Sequence, residues 1–99
     1  MTFKVTFLEI AKEDVGDAIE WYEKHQKGLG AKFLAEIEQS VESVQAMPKA
    51  FPRKFKNLRA VLIKSFPYAL FYRIENGSYI RIYACLHLSR NISKVLEDR

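Results

Sequence analysis

The sequence predicts an α+β domain: a small antiparallel β-sheet packed against an N-terminal α-helical hairpin, in the order β-α-α-β-β-β with a short C-terminal segment. Three observations carry that expectation. Residues 66–90, FPYALFYRIENGSYIRIYACLHLSR, are two β-rich runs joined by Asn76-Gly77, a pair suited to the positive φ values of a tight hairpin turn. Between Ala11 and Val44 two apolar stripes follow each other at helical spacing, broken at Gly28-Leu29-Gly30. At 99 residues and 48% hydrophobic content, residues 1–99 suit a single domain with one core.

In chain order, Phe3, Val5 and Phe7 alternate with Lys4, Thr6 and Leu8, so residues 3–8 read as a short strand that joins the sheet of the later hairpin. From Ala11 the spacing becomes helical, with Ala11, Val15, Ala18, Ile19 and Tyr22 on one face and Glu13, Asp17, Glu20, Lys24 and Lys27 elsewhere. Acids early and bases late complement the macrodipole, and Glu20/Lys24 and Glu23/Lys27 are favourable i, i+4 pairs. The carboxylates of this helix therefore read as a solvated face rather than an acid/base pair. Gly28 is placed to end the helix as a left-handed C′ residue. Trp21 flanks the stripe as core edge, and His25 at the turn is expected to be exposed.

A second helix carries Phe33, Leu34, Ile37, Val41 and Val44 on one stripe and stops before Pro48. The two stripes together would cover one face of the sheet. Residues 47–57, MPKAFPRKFKN, read as a Pro-rich basic loop in which Phe51 and Phe55 pin the chain to the core and the bases are solvated. The alternative is that Arg53, Lys54 and Lys56 contact a nucleic-acid backbone. Leu58–Lys64, containing Arg59, reads as a strand from the middle of the sheet.

In the last strand Ile80, Ile82, Ala84, Leu86 and Leu88 alternate with Arg81, Tyr83, Cys85 and His87, so the first set is expected in the core and the second on a working face. The partner register stays open. A two-residue loop puts Tyr72 opposite Arg81, Leu70 opposite Tyr83 and Phe71 in the core beside Ile82, whereas a three-residue loop through Ser78 inverts the faces of the first strand. The tail, with Ile92, Val95 and Leu96, has only a short helical pattern.

Composition narrows the function classes. A single cysteine excludes an intrachain disulfide framework and a paired-cysteine zinc site, and it suits a reducing compartment. Cys85 and His87 share a strand face, but two ligands do not make a metal site. No secretory leader or membrane-length apolar run is evident, so the cytoplasm is the expected location. A formal net charge of +4 and a pI near 9.3 favour an anionic partner, either nucleic acid or an acidic protein segment.

The element order, together with Trp21-Tyr22, Gly28-Leu29-Gly30, Phe33, Pro48, Phe66-Pro67-Tyr68, Tyr72, His87-x-x-Arg90 and Arg99, resembles the RelE/ParE superfamily of bacterial type II toxins over nearly the whole chain. The resemblance implies a toxin neutralised by a cognate antitoxin in a hetero-oligomer, without a cofactor. Partner-binding candidates are Arg59, Tyr72, Arg81, Tyr83 and Arg90. RelE-like members cleave messenger RNA on the ribosome without a metal, and ParE-like members inhibit DNA gyrase.

RNA cleavage needs a group to activate the 2′-OH, cations for the phosphorane and an acid for the leaving oxygen. Only Arg81, His87 and Arg90 are candidates here. RelE-like enzymes carry an arginine after the tyrosine where Tyr68 is followed by Ala69, and their late tyrosine or histidine has no counterpart among Ser93, Lys94, Val95 and Leu96. In ParE-like sequences the histidine and arginine look architectural. The expectation is therefore a ParE-like gyrase inhibitor, with enzyme activity left open: a RelE-like metal-independent endoribonuclease and a detoxified antitoxin-binding relative are the alternatives.

Overall fold

The computed structural model describes residues 3–99, so Met1 and Thr2 of the expected domain lie outside the described residues. Its elements are β1 (Lys4–Phe7), α1 (Glu9–His25), α2 (Leu29–Ala46), β2 (Arg53–Phe55), β3 (Leu58–Leu62), β4 (Tyr68–Glu75), β5 (Tyr79–His87) and α3 (Ile92–Glu97). An N-terminal helical pair packs on a five-stranded sheet of order β1-β5-β4-β3-β2. The sheet is mixed, not wholly antiparallel: β1 runs parallel to β5, from Lys4↔Tyr79 to Phe7↔Ile82. Alternation in residues 3–8 reports a half-buried strand and carries no information on the direction of its neighbour.

The helical hairpin buries Ala11, Val15 and Ala18 from α1 against Phe33, Ile37 and Val44 from α2. Gly28 does adopt a left-handed φ of 93°, but as the N-cap of α2 rather than C′ of α1, which Gln26 closes onto Tyr22. The Glu23 carboxylate accepts from the N–H groups of Gly28 and Gly30, so it caps the turn instead of pairing with Lys27. Glu20 and Lys24 do pair, at 3.3 Å on an exposed surface. Gly30 is needed where the helices touch, since a Cβ there would lie 2.9 Å from the Ile19 carbonyl oxygen.

Part of the basic loop is a strand: β2 pairs with β3 across a turn at Lys56, whose φ is 50°. Phe51 packs against the main core and Phe55 against a second, smaller cluster.

The hairpin takes the three-residue loop. Glu75 faces Tyr79 and Tyr72 faces Ile82, so Tyr72 rather than Phe71 shares the main core with Ile80 and Ile82. A bulge then places Phe71 opposite Ala84, leaving Tyr83 as the extra residue. Past it every side chain changes face. Cys85 turns towards the helices, while Ala84 and Leu86 join Ala60, Ala69, Phe71 and Leu96 beneath α3. The expected single core face of β5 is thus two half-faces, and Leu88 lies past the strand, exposed. The tail forms α3, capped by Asn91, and its Leu96 covers the sheet face opposite the helical hairpin. Among the described residues no helix is long and apolar enough to cross a membrane.

Candidate functional site

The bulge decides which candidate residues can meet. Arg81 and Tyr83 project from the face of β5 opposite Ile80 and Ile82, and both end on the carboxylate of Glu75. Arg81 Nε donates to Oε1 at 2.9 Å, while Tyr83 Oη and Arg73 Nη2 donate to Oε2 at 2.8 Å and 2.6 Å. The Arg73 and Tyr83 hydrogen bonds hold the Glu75 carboxyl below the usual carboxylate range. Burial, reinforced by the bond to Glu75, pushes the Tyr83 phenol up. Arg81 is therefore held through Nε by Glu75 in a part-exposed network on the sheet face away from His87 and Arg90.

His87 and Arg90 lie on the other side, in a cleft of about 370 Å³ between β5 and α1, walled by Asp14, Asp17, Trp21, Tyr22, Tyr68 and Cys85. His87 Nδ1 accepts the Ser89 N–H at 3.0 Å, and its ring meets the Tyr68 ring edge-on at 5.1 Å. The imidazole thus links the end of β5 to the following turn. Burial raises the Tyr68 phenol, with Tyr22 adding to the effect and Arg90 opposing it. The Cys85 thiol is pushed up to about 12, first by burial and then by Asp14, which makes it a buried apolar group and not a nucleophile. Among the described residues no three His, Cys, Asp or Glu side chains are placed to hold a metal.

The partner-binding candidates separate in the same way. Tyr72 is fully buried, and its hydroxyl donates to the Pro48 carbonyl at 2.6 Å, so it has no surface to offer. The inverted register is the reason: it turns Tyr72 inward where a two-residue loop would have turned it outward. Arg59 is half-buried, with Nη1 donating to the carbonyls of Lys49 and Phe51. Arg53, Lys54 and Lys56 are exposed. Trp21, expected at the core edge, is 54% exposed and stacks on His25 at 3.7 Å between ring centres.

On the α3 side an apolar groove of about 730 Å³ runs between Phe51, Phe55, Leu62, Phe71, Leu88 and Ile92, with Lys54 at its rim. Leu62 is 66% exposed there.

Two residues central to these arrangements escape sequence reading. Glu75 stands at the end of β4 just before the turn, where its position in the sequence gives no sign of a role. Asp14 belongs to a helix whose carboxylates read as a solvated face, yet it sits between Ala11 and Ala18 on the buried stripe of α1, and a carboxylate on that stripe is the available signal.

The model of the family described as ParE toxin of type II toxin-antitoxin system, parDE, matches residues 5–92. The chain belongs to the ParE toxin family. No sequence match is found among curated proteins. Among solved structures, a chain of the chromosomal ParDE TA system from P. aeruginosa superimposes with a TM-score of 0.77 at 15% identity, covering 89% of this chain and 98% of that one. At that identity the likeness speaks to the fold, and it includes the helical pair and the sheet described above. This ParE-family chain is a toxin of a type II toxin–antitoxin system, and it carries a part-exposed ion network on one sheet face, an aromatic cleft on the other and an apolar groove beside α3.

Proposed function

We propose that this ParE-family toxin is held inactive in the cytoplasm by a cognate antitoxin and, once released, inhibits DNA gyrase rather than cutting messenger RNA. The observation that carries the choice of target is the separation of Arg81 from His87 and Arg90 by the thickness of the sheet, with Arg81 engaged by Glu75. General acid/base cleavage needs its groups around one phosphate within hydrogen-bond reach. No rotation about side-chain bonds brings these three together across a packed sheet.

For the antitoxin, the groove beside α3 supplies the apolar anchors and Lys54 and its neighbours supply charge, which suits an acidic segment with apolar side chains on one side. Expression of the chain with and without its neighbouring gene product tests both parts. Growth arrest relieved by the neighbour, with gyrase supercoiling blocked and translation continuing, is expected. Messenger RNA cleavage on ribosomes with supercoiling intact would overturn the choice of target, and absence of arrest would remove toxicity altogether.

A further inference from the structure

The basic loop forms a pocket distinct from the aromatic cleft and the apolar groove. At the end of the sheet where β2, β3 and β4 meet, Lys49, Arg53, Arg59, Arg73 and Asn57 line a cavity of about 250 Å³ to which no carboxylate contributes. The local sequence explains the charge: between Glu42 and Glu75 there is no Asp or Glu, while the interval holds seven Lys and Arg residues.

The pocket is also partly built in advance. Arg59 is anchored through Nη1 by the Lys49 and Phe51 carbonyls at 3.1 Å and 2.7 Å, leaving the rest of its fork to a ligand. Arg73 lies over the Tyr83 ring at 5.2 Å with Nε and Nη2 both donating to Glu75, so it lends the pocket wall a neutralised pair, and the cations open to a ligand are Lys49, Arg53 and the unbonded edge of Arg59. Among the described residues neither Lys49 nor Arg53 has an acidic partner within salt-bridge distance.

We propose that this pocket is a binding site for a backbone phosphate of a nucleic acid. A carboxylate side chain is satisfied by one guanidinium fork, whereas several converging cations and an amide match the non-bridging oxygens of a phosphate. Lys54 and Lys56 continue the positive strip around the β2–β3 turn, so neighbouring phosphates of the same strand meet further cations. The contact reads charge and spacing, not sequence. It would give the toxin a hold on nucleic acid at its target.

The test is fluorescence anisotropy of the full chain with a labelled mixed-sequence DNA duplex and with a single strand, over a salt series. Each phosphate engaged contributes roughly −0.9 to the slope of log affinity against log salt on duplex DNA, and a slope of about −3 is expected. The double variant Lys49→Gln/Arg53→Gln should weaken binding roughly tenfold or more and flatten the slope by nearly two such contacts. Lys12→Gln/Lys24→Gln, which removes the same charge from the exposed surface of α1, should change it far less. In NMR titration the amides of Asn57 and Arg59 should shift first. Equal losses in the two double variants, a slope near zero, or an acidic peptide binding the pocket more tightly than either nucleic acid would each overturn the proposal. The gyrase reading stands apart from it, because supercoiling can be blocked by a chain that fails this assay.

Discussion

Arg99 closes a guanidinium fork on Asp14, with Nη2 2.9 Å from Oδ1 and Nη1 2.5 Å from Oδ2, both side chains being nearly buried. The pair completes an edge. β1 ends at Phe7, opposite Ile82, and beyond that point Asp14 Oδ2 accepts the Cys85 N–H at 3.0 Å while Arg99 Nη1 donates to the Tyr83 carbonyl at 3.3 Å. Backbone groups that a longer β1 would have paired are satisfied by two side chains. The fork therefore joins α1, β5 and the residues after α3.

Breaking that fork strands a buried charge. Arg99→Ala should destabilise the fold by about 3 kcal/mol or more, and Asp14→Ala similarly. A double-mutant cycle in urea should show the two changes costing together clearly less than their sum. Denaturation midpoints of the single variants near that of the parent would contradict the assignment.

The face assignment of β5 predicts an unequal pair of variants. Ile82 has no exposed surface, so Ile82→Asp should cost several kcal/mol by burying an unpaired charge. Arg81→Ala loses one arm of a part-exposed network and should leave thermal stability nearly intact. Similar melting temperatures for the two would contradict the face assignment.

Tyr72 sets an alkaline limit. Burial pushes its phenol up to about 12 from 10.0, with Arg59 opposing the shift. Below pH 10 both folded and unfolded chains hold the proton; between there and about pH 12 the unfolded chain releases it first, so stability falls as pH rises. Tyr72→Phe should remove this part of the alkaline slope, and at neutral pH it should cost about 1 kcal/mol for the lost bond to Pro48. An unchanged alkaline unfolding curve would show that another group sets the limit.

Glu75 acts at the other end of the pH scale. Its carboxyl is lowered from 4.5 by Arg73 and Tyr83, so its contribution is complete above that pH and is lost as pH falls through the lower folded value. Glu75→Gln should flatten the acid limb of a stability–pH profile while leaving the alkaline limb as it was. A parallel profile, merely displaced, would assign the acid sensitivity elsewhere.

Much of this was legible in the sequence because it rests on local rules. Asn76-Gly77 specifies a hairpin through positive φ, values of 53° and 71° being observed, and the stripes of α1 and α2 report burial through spacing alone. The joint order of Phe66-Pro67-Tyr68, His87-x-x-Arg90 and the paired helices points to the RelE/ParE superfamily, and Ala69 with the residues of the tail, which lack the ribonuclease pattern, favours its ParE-like branch, in agreement with the family match over residues 5–92.

What only the tertiary structure decided depends on contacts between distant residues. An extra residue at Tyr83 leaves the alternation of residues 80–88 unbroken on paper, yet in the sheet it turns Cys85 and His87 to the helices and Ala84 and Leu86 to α3. The direction of β1, the burial of Tyr72 and the union of Asp14 with Arg99 follow from which backbone groups lacked partners once the sheet had formed. Sequence periodicity determines that a strand has two faces; pairing in three dimensions determines which residues occupy each.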